Sequence, residues 1–220
     1  ADKKIINYEN GSYPACEYSG IDCPEGQHLN DAKDGCVANT FTVQFDNGDG
    51  ATGTMNSVLV TYNDGTVAPE HGFTVPQPAG SQEFVQWSCA SKYGSCGTVM
   101  PDDNISTITK VHDDVITLTA IWEAVTFTIT YDKNASDATA GKPATAQVKY
   151  GDMYPELDLR PTRAGYSFGG YYPSPSCSTG LAGTYLANGQ PNAQFLETKD
   201  ITLYACWIEC APGSFCGPDT

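Results

Sequence analysis

The sequence predicts a mainly β protein (α+β, with little helix) built from two tandem units between disulfide-stapled ends. Three observations carry this reading. Short runs alternate apolar and polar residues with a period of two, the mark of a strand with one buried face. The same runs return about 85 residues further along the chain. Nine cysteines, concentrated towards the two ends, accompany 22 glycines and 14 prolines, so most segments are broken by turn chemistry.

The elements follow in order. Residues 1–40 hold few large aliphatics and three cysteines (Cys16, Cys23, Cys36), so this segment must rely on cross-links more than on a core. Phe41-Thr-Val-Gln-Phe45 places three apolar side chains on one sheet face, and Phe127-Thr-Ile-Thr-Tyr131 repeats the pattern. Asp46-Asn-Gly-Asp-Gly50 then ends the strand, since Asn and Gly tolerate positive φ. A second strand is expected over 57–62, matched by 145–150, followed by proline-rich bends at Pro76 and Pro78 and at Pro155 and Pro161. Phe84-Val-Gln-Trp87 is answered by Phe168-Gly-Gly-Tyr171. The closing strand contains Thr117-Leu-Thr-Ala-Ile-Trp122, matched by Thr202-Leu-Tyr-Ala-Cys-Trp207. These matches define unit 1 at 41–123 and unit 2 at 124–208, with the repeat itself running over 126–208. The only helix expected is a turn or two at 192–198. Residues 209–220 read as the start of a further Cys-rich connector of a longer protein.

Composition excludes several classes. The chain carries 26 acidic and 11 basic residues, a net charge of -15, which argues against nucleic acid as a partner. Acidity is concentrated in unit 1, which has ten acidic against two basic residues over 41–123. No run approaches the roughly 18 apolar residues of a membrane span. At 11% aromatic, the chain is too apolar for an acidic disordered tail.

The cysteines point to an oxidising compartment. They include no CxxC pair, and His28, His71 and His112 are far apart in sequence, so zinc is disfavoured against disulfides. Proximity suggests Cys23–Cys36, Cys89–Cys96 and Cys210–Cys216, although spacing alone does not determine connectivity. Nine is odd, so at least one thiol is expected to be unpaired or to have its partner outside this sequence.

Unit 2 carries a more specific pattern. Tyr150-Gly151, Pro161-Thr-Arg-Ala-Gly-Tyr-Ser-Phe-Gly-Gly-Tyr-Tyr172 and Asp200-Ile-Thr-Leu-Tyr-Ala-Cys-Trp207 together resemble the internalin-B-type B repeat, the Listeria–Bacteroides repeat. Unit 1 is similar but diverged: it keeps Phe84 and Trp87 and lacks the tyrosine and the second glycine. The resemblance implies two β-grasp-like (ubiquitin-like) sheets, each crossed by a short helix, in a bacterial surface or secreted protein. It further implies adhesion or spacing rather than catalysis, with a host or neighbouring-cell protein or glycan as partner. The added cysteines and the extra residues near 51–56 and 91–104 depart from the family pattern.

No enzyme motif contradicts this. Gly48-Asp-Gly-Ala-Thr-Gly53 fits G-x-G-x-x-G, but the expected continuation is a strand, whereas the fingerprint needs a helix whose N-terminus meets the pyrophosphate. Asp46, Asn47 and Asp49 lack the distal bidentate Glu of a calcium loop. No nucleophile is paired with a histidine base. No catalytic residue, cofactor or metal is therefore expected. Aromatics at repeated strand positions, Trp87, Trp122 and Trp207 among them, read as core. Tyr93, Tyr166, Tyr171 and Tyr172 are the candidates for an exposed ligand-binding surface, because rings on a rigid sheet stack well on sugars and protein surfaces. The alternative function is accordingly a carbohydrate- or protein-binding module appended to a larger secreted enzyme.

Overall fold

The computed structural model describes residues 20–177, 190, 191 and 193–211. Among them are eleven strands: β1 (Gln27–Leu29), β2 (Cys36–Ala38), β3 (Thr40–Asp46), β4 (Val58–Thr61), β5 (Gln82–Ser91), β6 (Gly94–Val99), β7 (Val115–Ala124), β8 (Thr126–Asp132), β9 (Thr145–Lys149), β10 (Tyr166–Tyr172) and β11 (Ile201–Glu209). No helix occurs among the described residues. The turn or two expected at 192–198 is instead extended chain where it is described: Gln194 bridges Met153, and Phe195 exchanges backbone hydrogen bonds with Gly151 and Asp152. Pairing to a neighbouring segment supplies there the partners that a helix would have found internally.

Unit 1 is a five-stranded sheet in the order β4-β3-β7-β5-β6, and unit 2 a four-stranded sheet in the order β10-β11-β8-β9. In both, the first strand pairs antiparallel with the next and parallel with the last (β3 with β7, β8 with β11). Both also carry a register irregularity where the third strand meets the last, between Phe84 and Gln86 and between Phe168 and Tyr171. The hairpin strand β6 was not expected; it uses the extra residues after Trp87 and is closed by Cys89–Cys96.

Each unit has its own core. Phe41, Val43, Val60, Trp87, Ile116 and Leu118 form the first, and Phe127, Ile129, Val148, Tyr171, Leu203 and Ala205 the second. Alternation explains these sets: every second residue of β3, β7, β8 and β11 points inward. Local hydrogen bonds repeat as well. The Trp122 indole N–H donates to the Asn47 carbonyl at 2.8 Å, and the Trp207 indole N–H donates to the Lys133 carbonyl at 2.9 Å. Asp46 accepts from the Gly48 N–H, as Asp132 accepts from the Asn134 N–H.

The β1–β2 hairpin is closed by Cys23–Cys36 and docked on unit 1. The His28 and His112 rings stack at 3.7 Å, the Asn39 amide donates to the Lys110 carbonyl, and Lys110 pairs with Glu25. Gly26, at φ +77°, lies so close to the Tyr62 ring that a Cβ there would overlap it. A single residue, Val125, separates β7 from β8. Its N–H donates to the Ser81 carbonyl and its own carbonyl accepts from the Tyr150 N–H, both at 3.0 Å.

Two expected disulfides, Cys23–Cys36 and Cys89–Cys96, are present. A third, Cys177–Cys206, joins residues 29 apart in sequence and was not anticipated. Cys210 is disulfide-bonded, but Cys216, the partner expected for it, lies outside the described residues.

Candidate functional site

The four tyrosines do not form one platform. Tyr171 is 1% exposed and packs against Tyr131 and Phe168 in the unit 2 core, so its ring is not available to a ligand. The physical reason is the irregularity at Gly169-Gly170, which turns Phe168 and Tyr171 to the same face although they are three residues apart. Burial raises the Tyr171 hydroxyl well above the ordinary tyrosine range. Tyr172 points the other way and lies opposite Tyr204 on β11, half-buried. The Tyr166 ring is covered on one face by the Arg163 guanidinium, 3.9 Å from its centroid, and Arg163 also binds Asp137. That hydrogen bond holds the Asp137 carboxyl below the usual range. Tyr93 is on the other unit, at the tip of the β5–β6 hairpin, 67% exposed with the Lys92 ammonium 4.9 Å from its ring centroid.

The acidic turn after β3 serves its own backbone. The Asn47 amide donates to the Ala51 carbonyl, and Asp46 accepts from Gly48. Gly48 and Gly50 have positive φ, and the chain passes on to a bridge between Thr52 and Thr74, so the G-x-G-x-x-G run opens no helix. Three or more potential metal-ligating side chains are nowhere clustered among the described residues.

The sequence did not single out the cleft that this turn helps to form. About 600 Å³ in volume, it is lined by Asp46, Gly48, Asp49, Gln82, Thr119, Ala120, Ile121 and Trp122. Its lining includes residues 119–122 of β7, with Ile121 and Trp122 partly buried, together with two exposed carboxylates and one amide. Gly48 is required by the close approach: a Cβ there would run into the Ala120 carbonyl oxygen. The lining holds no basic side chain, so the cleft carries uncompensated negative charge.

The same place in unit 2 is arranged differently. Position 134 there holds Asn at φ +51°, whose amide donates to the Ala205 carbonyl at 3.0 Å and to the Pro175 carbonyl at 2.8 Å. Cys206 stands where unit 1 has Ile121, and its bond to Cys177 holds the segment after β10. The chain after Tyr172 therefore leaves the sheet and is fastened beside β11, whereas the chain after Trp87 continues as the β5–β6 hairpin.

Compared with known families, residues 127–206 match the Listeria-Bacteroides repeat domain. That span is unit 2 from Phe127, the second residue of β8, to Cys206 in β11. No curated protein matches the chain. The repeat family and the disulfides are consistent with an extracellular location. No helix among the described residues is long and apolar enough to cross a membrane.

Proposed function

We propose that this chain is a non-catalytic extracellular repeat region of a bacterial surface or secreted protein, acting as a semi-rigid spacer that presents neighbouring segments for adhesion. Unit 1, on this reading, is a second and diverged copy of the repeat matched at 127–206. Its parallel β3–β7 pair, its tryptophan clamp and its Asp46 turn all have counterparts in unit 2.

The junction carries the proposal. Flexible linkers between domains are usually several polar or glycine-rich residues long. Here one residue, Val125, joins the two sheets, and both of its backbone polar groups are bonded, one to each unit. Gly80 also lies against Thr198 across the junction. Bending there would break backbone hydrogen bonds on both sides, which favours a transmitted orientation over a free hinge.

Residual dipolar couplings of the backbone amides test the reading. One alignment tensor should fit both units, and insertion of two glycines after Val125 should split it into two of different magnitude. Two tensors in the unaltered chain would rule out a semi-rigid spacer. Turnover of any substrate by the purified chain would rule out the non-catalytic part.

A further inference from the structure

The two units differ at one corresponding place in a way that suggests an occupant. In unit 2 the turn after the first strand (Asn134) and the outward side of the last strand (Cys206) hold the chain's own Pro173-Ser-Pro-Ser-Cys177. The unit 1 equivalents are Gly48 and Ile121, and among the described residues no segment is bonded there: these residues line the 600 Å³ cleft. The cause is the β5–β6 hairpin, which carries the chain along β7 instead of back across the sheet. Among the described residues, unit 1 thus has the corresponding surface with no segment of the chain fastened to it.

We propose that this cleft docks a short proline- and serine-containing turn of a partner protein, bearing a cationic side chain that sits between Asp46 and Asp49. The turn chemistry follows from what the equivalent surface holds in unit 2. Proline pre-sets the backbone and so lowers the ordering cost of binding, which matters for a segment without a covalent tether. The cation follows from charge. Asp46 has a counterpart in Asp132, but Asp49 stands where unit 2 has Ala135, so the second carboxylate belongs to unit 1 alone. Both carboxylates are exposed, and no basic residue of the lining neutralises them. The volume lies within the range of ordinary ligand clefts and suits a turn of a few small residues. The proposal goes beyond the spacer function and stands or falls separately from it.

The test is an NMR titration of the full ¹⁵N-labelled chain with a lysine-flanked Pro-Ser-Pro-Ser peptide and with its glutamate-flanked counterpart. The lysine peptide should shift the Gly48 and Ile121 amides and the Trp122 indole N–H in a saturable way, leaving unit 2 unmoved. Asp49→Asn, on an exposed loop, should weaken it at least about 5-fold, and the glutamate peptide should bind the unaltered chain at least about 5-fold more weakly. The proposal is overturned if no shifts occur at millimolar peptide, or if both peptides bind equally and Asp49→Asn has no effect. It is also overturned if a neutral oligosaccharide shifts these resonances and the peptides do not.

Discussion

Removing the Cys177–Cys206 cross-link as Cys177→Ser with Cys206→Ala is the most informative stability experiment on this chain. The bond closes a loop of 29 residues in sequence separation. In the chain-entropy account such a closure restricts the unfolded ensemble by about 3.6 kcal/mol at 25 °C. Cys206 is 5% exposed, so truncation to Ala adds a small packing loss of up to about 1 kcal/mol. Together they predict a loss of about 4 kcal/mol, confined to unit 2, because each unit has its own core. Against a typical stability of about 5–15 kcal/mol, this should lower the midpoint of one urea transition and separate it from the other. The assay is urea unfolding followed by amide NMR, with residues such as Leu118 reporting unit 1 and Leu203 reporting unit 2. If both transitions move together, or the unit 2 loss is under about 1 kcal/mol, the assignment of this disulfide as the staple of unit 2 alone is wrong.

Three further outcomes are expected. Trp122→Phe and Trp207→Phe each remove an indole donor from a partly exposed carbonyl while keeping an aromatic ring, so each should cost its own unit about 1 kcal/mol in urea unfolding and leave the other unchanged. Burial pushes the Tyr154 hydroxyl up from 10.0 to about 12, so the neutral form is favoured in the fold; its contribution is intact below pH 10 and is lost as pH rises from 10 to 12. Tyr154→Phe should therefore gain about 1.4 kcal/mol on the unaltered chain between pH 8 and pH 11, measured by urea unfolding at both values; a gap independent of pH would contradict that. Gly26→Ala should undock the β1–β2 hairpin, because its Cβ would overlap the Tyr62 ring and φ is +77°. Hydrogen exchange at His28 and Val37 should accelerate by at least about tenfold with little change at Leu118.

Much of the fold was legible because a strand's alternation is a local signal. Phe41, Val43, Phe127 and Ile129 could be assigned inward from five-residue windows, and they are buried. The repeat added a second reading of each element, which is why the closing strands containing Trp122 and Trp207 were found at matching positions. The helix at 192–198 was misread because its residues have no strong period and their backbone partners, Gly151 to Met153, lie some 40 residues away in sequence. Strand β6 was missed for a related reason. Gly94-Ser-Cys-Gly-Thr-Val99 has too few apolar residues to show alternation, and it is held by pairing and by Cys89–Cys96.

The candidate site was less legible. Tyr172 and Tyr171 are neighbours in sequence with opposite fates, and only the irregularity at Gly169-Gly170 determines which is core. A pair of glycines was the available hint, since such residues mark places where strand parity can shift. The cleft joins the turn after β3 to β7 and to Gln82 at the start of β5, and no sequence motif spans those three segments.

The sequence by itself determined the mainly β class and the inward-facing positions of the long strands, and it pointed to the recurring segments and to the Cys23–Cys36 and Cys89–Cys96 pairs. Each depends on residues within a few positions of one another or on direct comparison of two segments. Tertiary structure alone decided the Cys177–Cys206 bond, the burial of Tyr171, the docking of His28 on His112 and the open cleft beside Asp49. These depend on register and bulge placement between distant strands, and a one-residue shift there sends a side chain to the opposite face.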